Sequence, residues 1–353
     1  MELEPVRSAS SGSIGWTGTE IPSLYGVRGI AAMAVVLSHI GVAASNAHYG
    51  VICFFVLSGF LITHLLLIEL GKTGDISLRR FYLRRALRIF PAFYGYAACY
   101  VVGRIILKLP IDWPAFVACL TYTSNYFFAF SSHSIGTMVH TWSLAVEEQF
   151  YLLWPFLLWR FRNSLSGMIK GLMWAVSAIW TYRFVMDVYF PGTYVFGAFE
   201  TRADALAIGC LLAVANSQLR IPRWLIDQKW VGLVAILVIC VCSATGLNGA
   251  RAAWAIVAVC CAVLLIQAVA HSRSGWYKWL NSPPLYGLGV ISYSLYLYHP
   301  FANRLPASLR HIPIEITFAI SLATASYFIV ERPFLRLKDR LSSSSRRADS
   351  TTR

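Results

Sequence analysis

Of 353 residues, 57% are hydrophobic and only 13% are charged, against a soluble norm of about half apolar and a quarter charged. That balance excludes an ordinary soluble domain, a disordered chain and a coiled coil. A formal charge of +14 would suit nucleic acid, but most of the 30 Lys and Arg residues sit in the links between apolar runs, so no nucleic-acid partner is expected. With 12 Trp, 18 Tyr and 21 Phe to form interfacial belts, the composition is that of a polytopic membrane protein in a lipid bilayer.

Residues 1–22 are polar and rich in Ser, Gly and Glu, without a basic start followed by a short apolar run and a small-residue cleavage site. No cleaved signal peptide is expected. A spanning helix needs about 20 mostly apolar residues, and candidates follow at Leu24 to Ala44, Val51 to Ile68, Ile89 to Leu107, Trp142 to Trp159, Gly171 to Phe190, Tyr194 to Ala215, Val231 to Leu247, Ala252 to Ala270, Leu285 to Phe301 and Ile314 to Val330. The reading is therefore all-α, with ten transmembrane helices. If Met1 is cytoplasmic, 22 of the 30 basic residues fall in inner segments, and the positive-inside rule puts both termini in the cytoplasm. One further apolar stretch, Trp113 to Phe130, would invert that count if it crossed. It reads as a re-entrant or interfacial segment on the outer side, which is tolerated only where protein or a water-filled cavity receives it, so it should border the working site. Residues 23–335 form one membrane domain, preceded by the cytoplasmic segment 1–22 and followed by a basic, Ser-rich cytoplasmic tail, 336–353, disordered after Leu341. The eight Cys residues lie inside apolar stretches with no CxxC spacing, so neither a metal nor a disulfide framework is expected.

Ionisable side chains within a span cost at least about 2.5 kcal/mol on insertion scales, so each asks for a partner or a role. Arg28 and His39 in the first helix are eleven positions apart, three turns plus about 20°, which puts them on one face about 16 Å apart. Each alone fits a bland reading, a snorkelling arginine and an interior histidine; together they suggest a cavity wall. At the start of the fourth span, Ser143, Glu147 and Tyr151 form an i, i+4, i+8 row beside Trp142, whereas Glu148 shares its row with Leu144 and Leu152. Adjacent acids project about 100° apart, so only one should face a given groove, and the row favours Glu147. Tyr293, Tyr296 and His299 recur at three-residue steps in the ninth span, as an aromatic belt or as a cavity lining. Arg84, Arg85 and Arg88 open a short helix ahead of the third span, where guanidinium forks suit either phosphates or anionic lipid headgroups.

The same residues carry a family resemblance. SLYGVRGIAAMAVVLSHI, with Arg, ten residues and His, resembles the first-helix signature of the membrane-bound acyltransferase 3 family. FFVLSGFLIT, RRALRIFP, HTWSLAVEEQFYLLWP, TRADALAIGCLLA, GLGVISYSLYLYHP and the terminal ERPF resemble its remaining motifs in order, over residues 24 to 334. The resemblance implies a bacterial inner-membrane enzyme that moves an acyl group, commonly acetyl, from cytoplasmic acyl-coenzyme A to a hydroxyl of an envelope glycan. It points to His39 as the catalytic histidine and to Arg28, Arg84, Arg85 and Arg88 as donor-side residues. Many members carry a fused SGNH hydrolase-like domain; this chain reads as the form without one, acting alone or with a separate extracytoplasmic protein. Tyr25 stands where the family commonly has Asp.

The chemistry of the residues agrees. A neutral histidine can take the proton of a sugar hydroxyl as it attacks a thioester carbonyl, and Glu147 in the same cavity could steady the imidazolium. An oxyanion donor is required, with Ser58, Asn125 and Tyr293 as candidates. A reading from another class, a proton-coupled transporter or carrier of a lipid-linked substrate, would use the same intramembrane His and carboxylates. It would be favoured by broken helices in two matching halves, and no such halves stand out.

Overall fold

Backbone N–H and C=O groups have no water to bond inside hydrocarbon, so an apolar chain of this kind resolves into helices. The computed structural model describes residues 21–42, 47–131, 136–189, 192–245, 251–272 and 274–340, and among them every regular element is helical. The expected segment 1–22 lies almost wholly outside the described residues, as does the tail from 341. In chain order the α-helices are α1 (Pro22–His39), α2 (Ala47–Thr73), α3 (Leu78–Ile106), α4 (Trp113–Leu120), α5 (Ser124–Phe130), α6 (Thr141–Arg160), α7 (Leu165–Tyr189), α8 (Thr193–Gly197), α9 (Phe199–Ser217), α10 (Arg223–Asp227), α11 (Lys229–Ala244), α12 (Arg251–Ala270), α13 (Pro283–Val290), α14 (Ser292–Tyr298) and α15 (Ile312–Ser326). A single π-turn, Tyr327–Glu331, joins α15 to a last helical stretch that ends at Arg340.

Four of these are long and apolar enough to cross a membrane: α2, α3, Ala252–Ala270 of α12, and the run Ile312–Arg340. Others depart from the expected spans for local reasons. The run Tyr194 to Ala215 breaks at Ala198, which is extended (φ −63°, ψ 144°) and separates α8 from α9. Leu285 to Phe301 is three pieces, α13, α14 and the 3-10 turn His299–Arg304. The basic link is no separate short helix: α3 runs unbroken through Arg84, Arg85, Arg88 and Pro91 to Ile106. Ser77 caps its start by accepting from the Arg80 N–H at 3.4 Å, and Glu69 of α2 accepts from the Ser77 N–H at 3.1 Å, which makes the α2–α3 corner tight. Trp113 to Phe130 forms two short helices, 8 and 7 residues long, the first capped by Asp112.

Close backbone approach sets how the central helices cross. A Cβ on Gly59 of α2 would stand 2.0 Å from the Leu206 carbonyl oxygen of α9, and one on Gly209 would stand 2.0 Å from the Val56 carbonyl oxygen. This mutual contact is what lets small residues bring helices together in a membrane, and it is the physical content of the LSGF and AIGC motifs. On the far side, α1 lies on α13, with Gly289 against the Tyr25 carbonyl and the Tyr25 and Tyr286 rings 4.8 Å apart. The α1–α13 contact carries Arg28 to the head of α14, and α2 on α9 carries Ser58 to α6. Gly59→Ala should therefore cost about 1–3 kcal/mol through overpacking, seen as a melting midpoint several degrees lower in detergent. Gly171→Ala in α7, where a Cβ meets nothing within 4 Å among the described residues, should leave the midpoint unchanged or raise it.

Candidate active site

Helices α1, α2, α3, α6 and α14 enclose a cavity of about 130 Å³. Ser58 reaches it from α2, Arg85 and Arg88 from α3, Ser143, Glu147 and Glu148 from α6, and Arg28 from α1. Cross-bonds hold its walls: the Trp154 indole N–H donates to Thr63 Oγ1 at 2.8 Å between α6 and α2, the Tyr82 hydroxyl to the Leu152 carbonyl at 2.8 Å between α3 and α6, and the Tyr293 hydroxyl to the Ile89 carbonyl at 3.1 Å between α14 and α3.

Glu147 is the hub. Its Oε1 accepts from the hydroxyls of Ser58 and Tyr151, lies 3.7 Å from Arg85 Nη2, and the Arg85 guanidinium stacks 3.5 Å above the Tyr151 ring. Charge, hydrogen bonds and a cation–π contact thus compensate one carboxylate in a largely apolar place. Glu148 also lines the cavity, which corrects the expectation that only one of the adjacent acids could face it. The 100° between them is real, but the cavity wraps around α6, with α2 on the Glu147 side and α3 and α14 beyond. No hydrogen bond or ion pair holds Glu148 among the described residues.

The three arginines of the basic motif divide. Arg84 pairs with Glu69 at 3.1 Å and is partly exposed, Arg80 meets the same carboxylate at 3.5 Å, and Arg85 and Arg88 turn inward to the cavity. Arg28 donates from Nε to Ser292 Oγ at 3.1 Å. Glu331, from the terminal ERPF, is buried, accepts from Ser294 Oγ at 3.0 Å, and acts electrostatically on both Arg88 and Arg28.

His39 is at the other end of α1. It is exposed, it does not line the cavity, and its Nδ1 is 2.8 Å from the Val35 carbonyl oxygen. A carbonyl only accepts, so Nδ1 carries the proton and Nε2 is left with a lone pair. The neighbours of His39 are histidines: His299 has its ring centroid 4.7 Å away, edge-on, and His140 stands 5.2 Å beyond it. Glu147 and His39 are not in contact; the acid bonds Ser58 and Tyr151 instead. Tyr296 connects the two ends, since it lines the cavity, pairs with Ser143 Oγ, donates to the His140 carbonyl at 3.0 Å, and has its ring 5.8 Å from His299.

Of the three hydroxyl or amide candidates for an oxyanion donor, all already donate elsewhere: Ser58 to Glu147, Tyr293 to Ile89, and Asn125 to Gln149 at 3.3 Å. Asn125 ties α5 to the flank of α6, outside the cavity lining, so the segment Trp113 to Phe130 touches the site through α6. Trp142 is buried and forms, with Phe196 and Trp254, an aromatic box around the Arg202 guanidinium, 5.1, 5.6 and 4.1 Å from their centroids. Ser292, His140 and Glu331 escaped sequence reasoning. They stand in the motifs GLGVISYSLYLYHP, HTWSLAVEEQFYLLWP and ERPF, but no periodic row marked any of them as a site residue. Among the described residues no three His, Cys, Asp or Glu side chains gather as a metal would need.

A family model described as an acyltransferase domain matches residues 21–330. The chain belongs to the acyltransferase 3 family. Over 349 residues it is 31% identical to the peptidoglycan O-acetyltransferase OatA of Listeria monocytogenes serovar 1/2a (strain EGD-e), covering 89% of this chain and 54% of the relative. It is 30% identical over 352 residues to a Bacillus subtilis (strain 168) protein provisionally named peptidoglycan O-acetyltransferase YrhL, with 89% and 54% covered. A provisionally named O-acetyltransferase of Staphylococcus aureus (strain COL) is 29% identical over 350 residues, with 89% and 57% covered. The chain thus spans about half the length of these curated relatives. No solved structure matches.

The unequal bonding of the two acids has a measurable consequence. Glu147→Leu removes the shared acceptor of Ser58 and Tyr151 and leaves Arg85 uncompensated, at a cost of up to about 3 kcal/mol. Glu148→Leu, with no such bonds to lose, should be neutral or stabilising. Thermal melts of the two purified variants test this, and equal losses would remove Glu147 from its place as hub.

Proposed function

We propose that this protein is an integral-membrane O-acyltransferase that takes acetyl from cytoplasmic acetyl-coenzyme A and delivers it to a hydroxyl of an envelope glycan. In this reading residues 23–335 cross the bacterial inner membrane ten times with both termini inside, so that α1 runs outward. The observation that carries the proposal is the pair of ends on α1. Arg28 opens on a cavity shared with Arg85, Arg88 and Glu147, and His39 is exposed at the opposite end with its Nδ1 held by a carbonyl.

Size divides the donor. Ligand pockets for whole drug-sized molecules start at roughly 300 Å³, so a cavity of about 130 Å³ suits the narrow pantetheine arm of the donor, with its nucleotide left at the mouth beside the first turns of α3 and its acyl end carried past Tyr296 toward His39. Arg85 and Arg88 then line the path of the arm, and Arg80 and Arg84, partly exposed with Glu69, meet the phosphates. His39 offers Nε2 to the acceptor hydroxyl. As the oxygen attacks the thioester carbonyl, the proton goes to the imidazole and the coenzyme leaves as its thiolate, general-base assistance being worth about 10²–10⁴ in rate. The relatives named as peptidoglycan O-acetyltransferases support a cell-wall or related surface polysaccharide as the acceptor.

The reading is tested by transfer of label from [14C]acetyl-coenzyme A with purified protein and a panel of envelope glycans. His39→Ala should lower transfer by about 10² or more while donor affinity stays within twofold; full activity would refute the assignment. Arg85→Gln with Arg88→Gln should lower turnover per folded protein, and should lower the melting midpoint as well, because Glu147 loses the cation that compensates it. Arg84→Gln should act mainly on donor KM. An identical kinetic signature for the two would mean that the inward and outward arginines do not divide the work.

A further inference from the structure

His299 is 1% exposed. Its Nδ1 is 2.8 Å from the Tyr296 carbonyl oxygen, so Nδ1 carries the hydrogen and Nε2 is an acceptor; yet Nε2 is buried with no hydrogen-bond partner among the described residues. Leaving a buried acceptor unmet is unfavourable, and an apolar ring would pack there without that cost. The titratable groups that face this nitrogen's ring are His39 from α1, His140 from the turn before α6 and the Tyr296 hydroxyl from α14. His39 lies nearest, edge-on at 4.7 Å, and its own Nδ1 is tied to a carbonyl in the same way. Two neighbouring imidazoles that each donate from Nδ1 and each keep a lone pair on Nε2 can share one additional proton.

We propose that His299 is a positioning residue for His39 that accepts a hydrogen bond from the imidazolium formed during acyl transfer. The inference rests on the proposed function. In the balanced step the acceptor O–H bond breaks and its proton goes to His39 Nε2, the oxygen–acyl carbon bond forms, and the carbon–sulfur bond breaks. Once that oxygen is acylated and has become a weak acceptor, the His39 Nε2–H tilts about the Nδ1 bond to Val35 and donates to His299 Nε2, until the departing thiolate takes the proton up as free thiol and both histidines are neutral again. The unmet Nε2 of the resting state is then the acceptor that the charged intermediate requires, on the buried side of the pair where such a bond is stronger than in water.

The test uses the full chain in lipid nanodiscs with acetyl-coenzyme A and water as the acceptor, because release of acetate needs the same base and no glycan. The amide nitrogen of Asn overlies Nδ1 of His, so His299→Asn keeps the bond to Tyr296 and deletes the acceptor; Gln extends its amide to the Nε2 position. His299→Asn should lower kcat by about tenfold or more, part of the range of base catalysis, with KM for acetyl-coenzyme A within twofold. His299→Gln should recover several-fold over Asn. Wild-type kcat in His299→Asn, a loss carried by KM, or equal losses in Asn and Gln would overturn the pairing. If Asn does not yield folded protein, a Gln variant with wild-type kcat or with only a raised KM overturns it as well. A fully active His39→Ala, or a wild-type chain that releases no acetate, overturns the reading beneath; an inactive His39→Ala beside a fully active His299→Asn overturns only the role of His299.

Discussion

Holding a carboxylate among apolar helices is the constraint on which the rest of the site depends. An unpaired acid there would be costly, and Glu147 is kept by contributions from three directions: Ser58 of α2, Tyr151 of its own helix and Arg85 of α3. Each of those groups must itself be delivered. Ser58 arrives because Gly59 and Gly209 allow α2 and α9 to touch backbone to backbone. Arg85 arrives because α3 continues unbroken from its Ser77 cap into the apolar region. A fault at any of these points would leave a charge without its complement, so packing and electrostatics in this protein are one problem.

The second organising element is α1, which joins two places of different character. Its first half is buried against α13 and presents Arg28 to Ser292 and the cavity; its last residue, His39, is exposed among histidines. Arg28 meets Ser292 at the head of α14 and His39 meets His299 just past its end, so two residues eleven apart on α1 touch two residues seven apart on one neighbouring segment. In the proposed reaction, that shared neighbour joins the end that holds the donor to the end that holds the base. Tyr296 stands between them with bonds to both sides.

The buried Arg202 belongs to a separate arrangement. It rests on Trp142, Phe196 and Trp254, while the neighbouring Asp204 is taken by Arg183 at 2.9 Å and by the Trp180 indole at 2.9 Å. Cation–π contacts thus carry the arginine of TRADALAIG while its sequence neighbour is used in an ion pair with another helix. Trp142, read from the sequence as a cavity residue, is one wall of this box.

The sequence by itself determined the helical class, the membrane setting and the face shared by Arg28 and His39, because composition and the 3.6-residue period depend on nothing beyond the local chain. It also determined the Ser143, Glu147, Tyr151 row for the same reason. Only the tertiary structure decided which of three adjacent-looking arginines turn inward, since Arg84 and Arg85 differ by one helical step and the distinction lies in Glu69 on another helix. It decided too that Glu148 joins Glu147 at the cavity, that Leu285 to Phe301 breaks where Gly289 meets Tyr25, and that the partner of His39 is His299 instead of Glu147. Each of these rests on a contact between residues far apart in the chain, and periodicity carries no information about what lies across the gap.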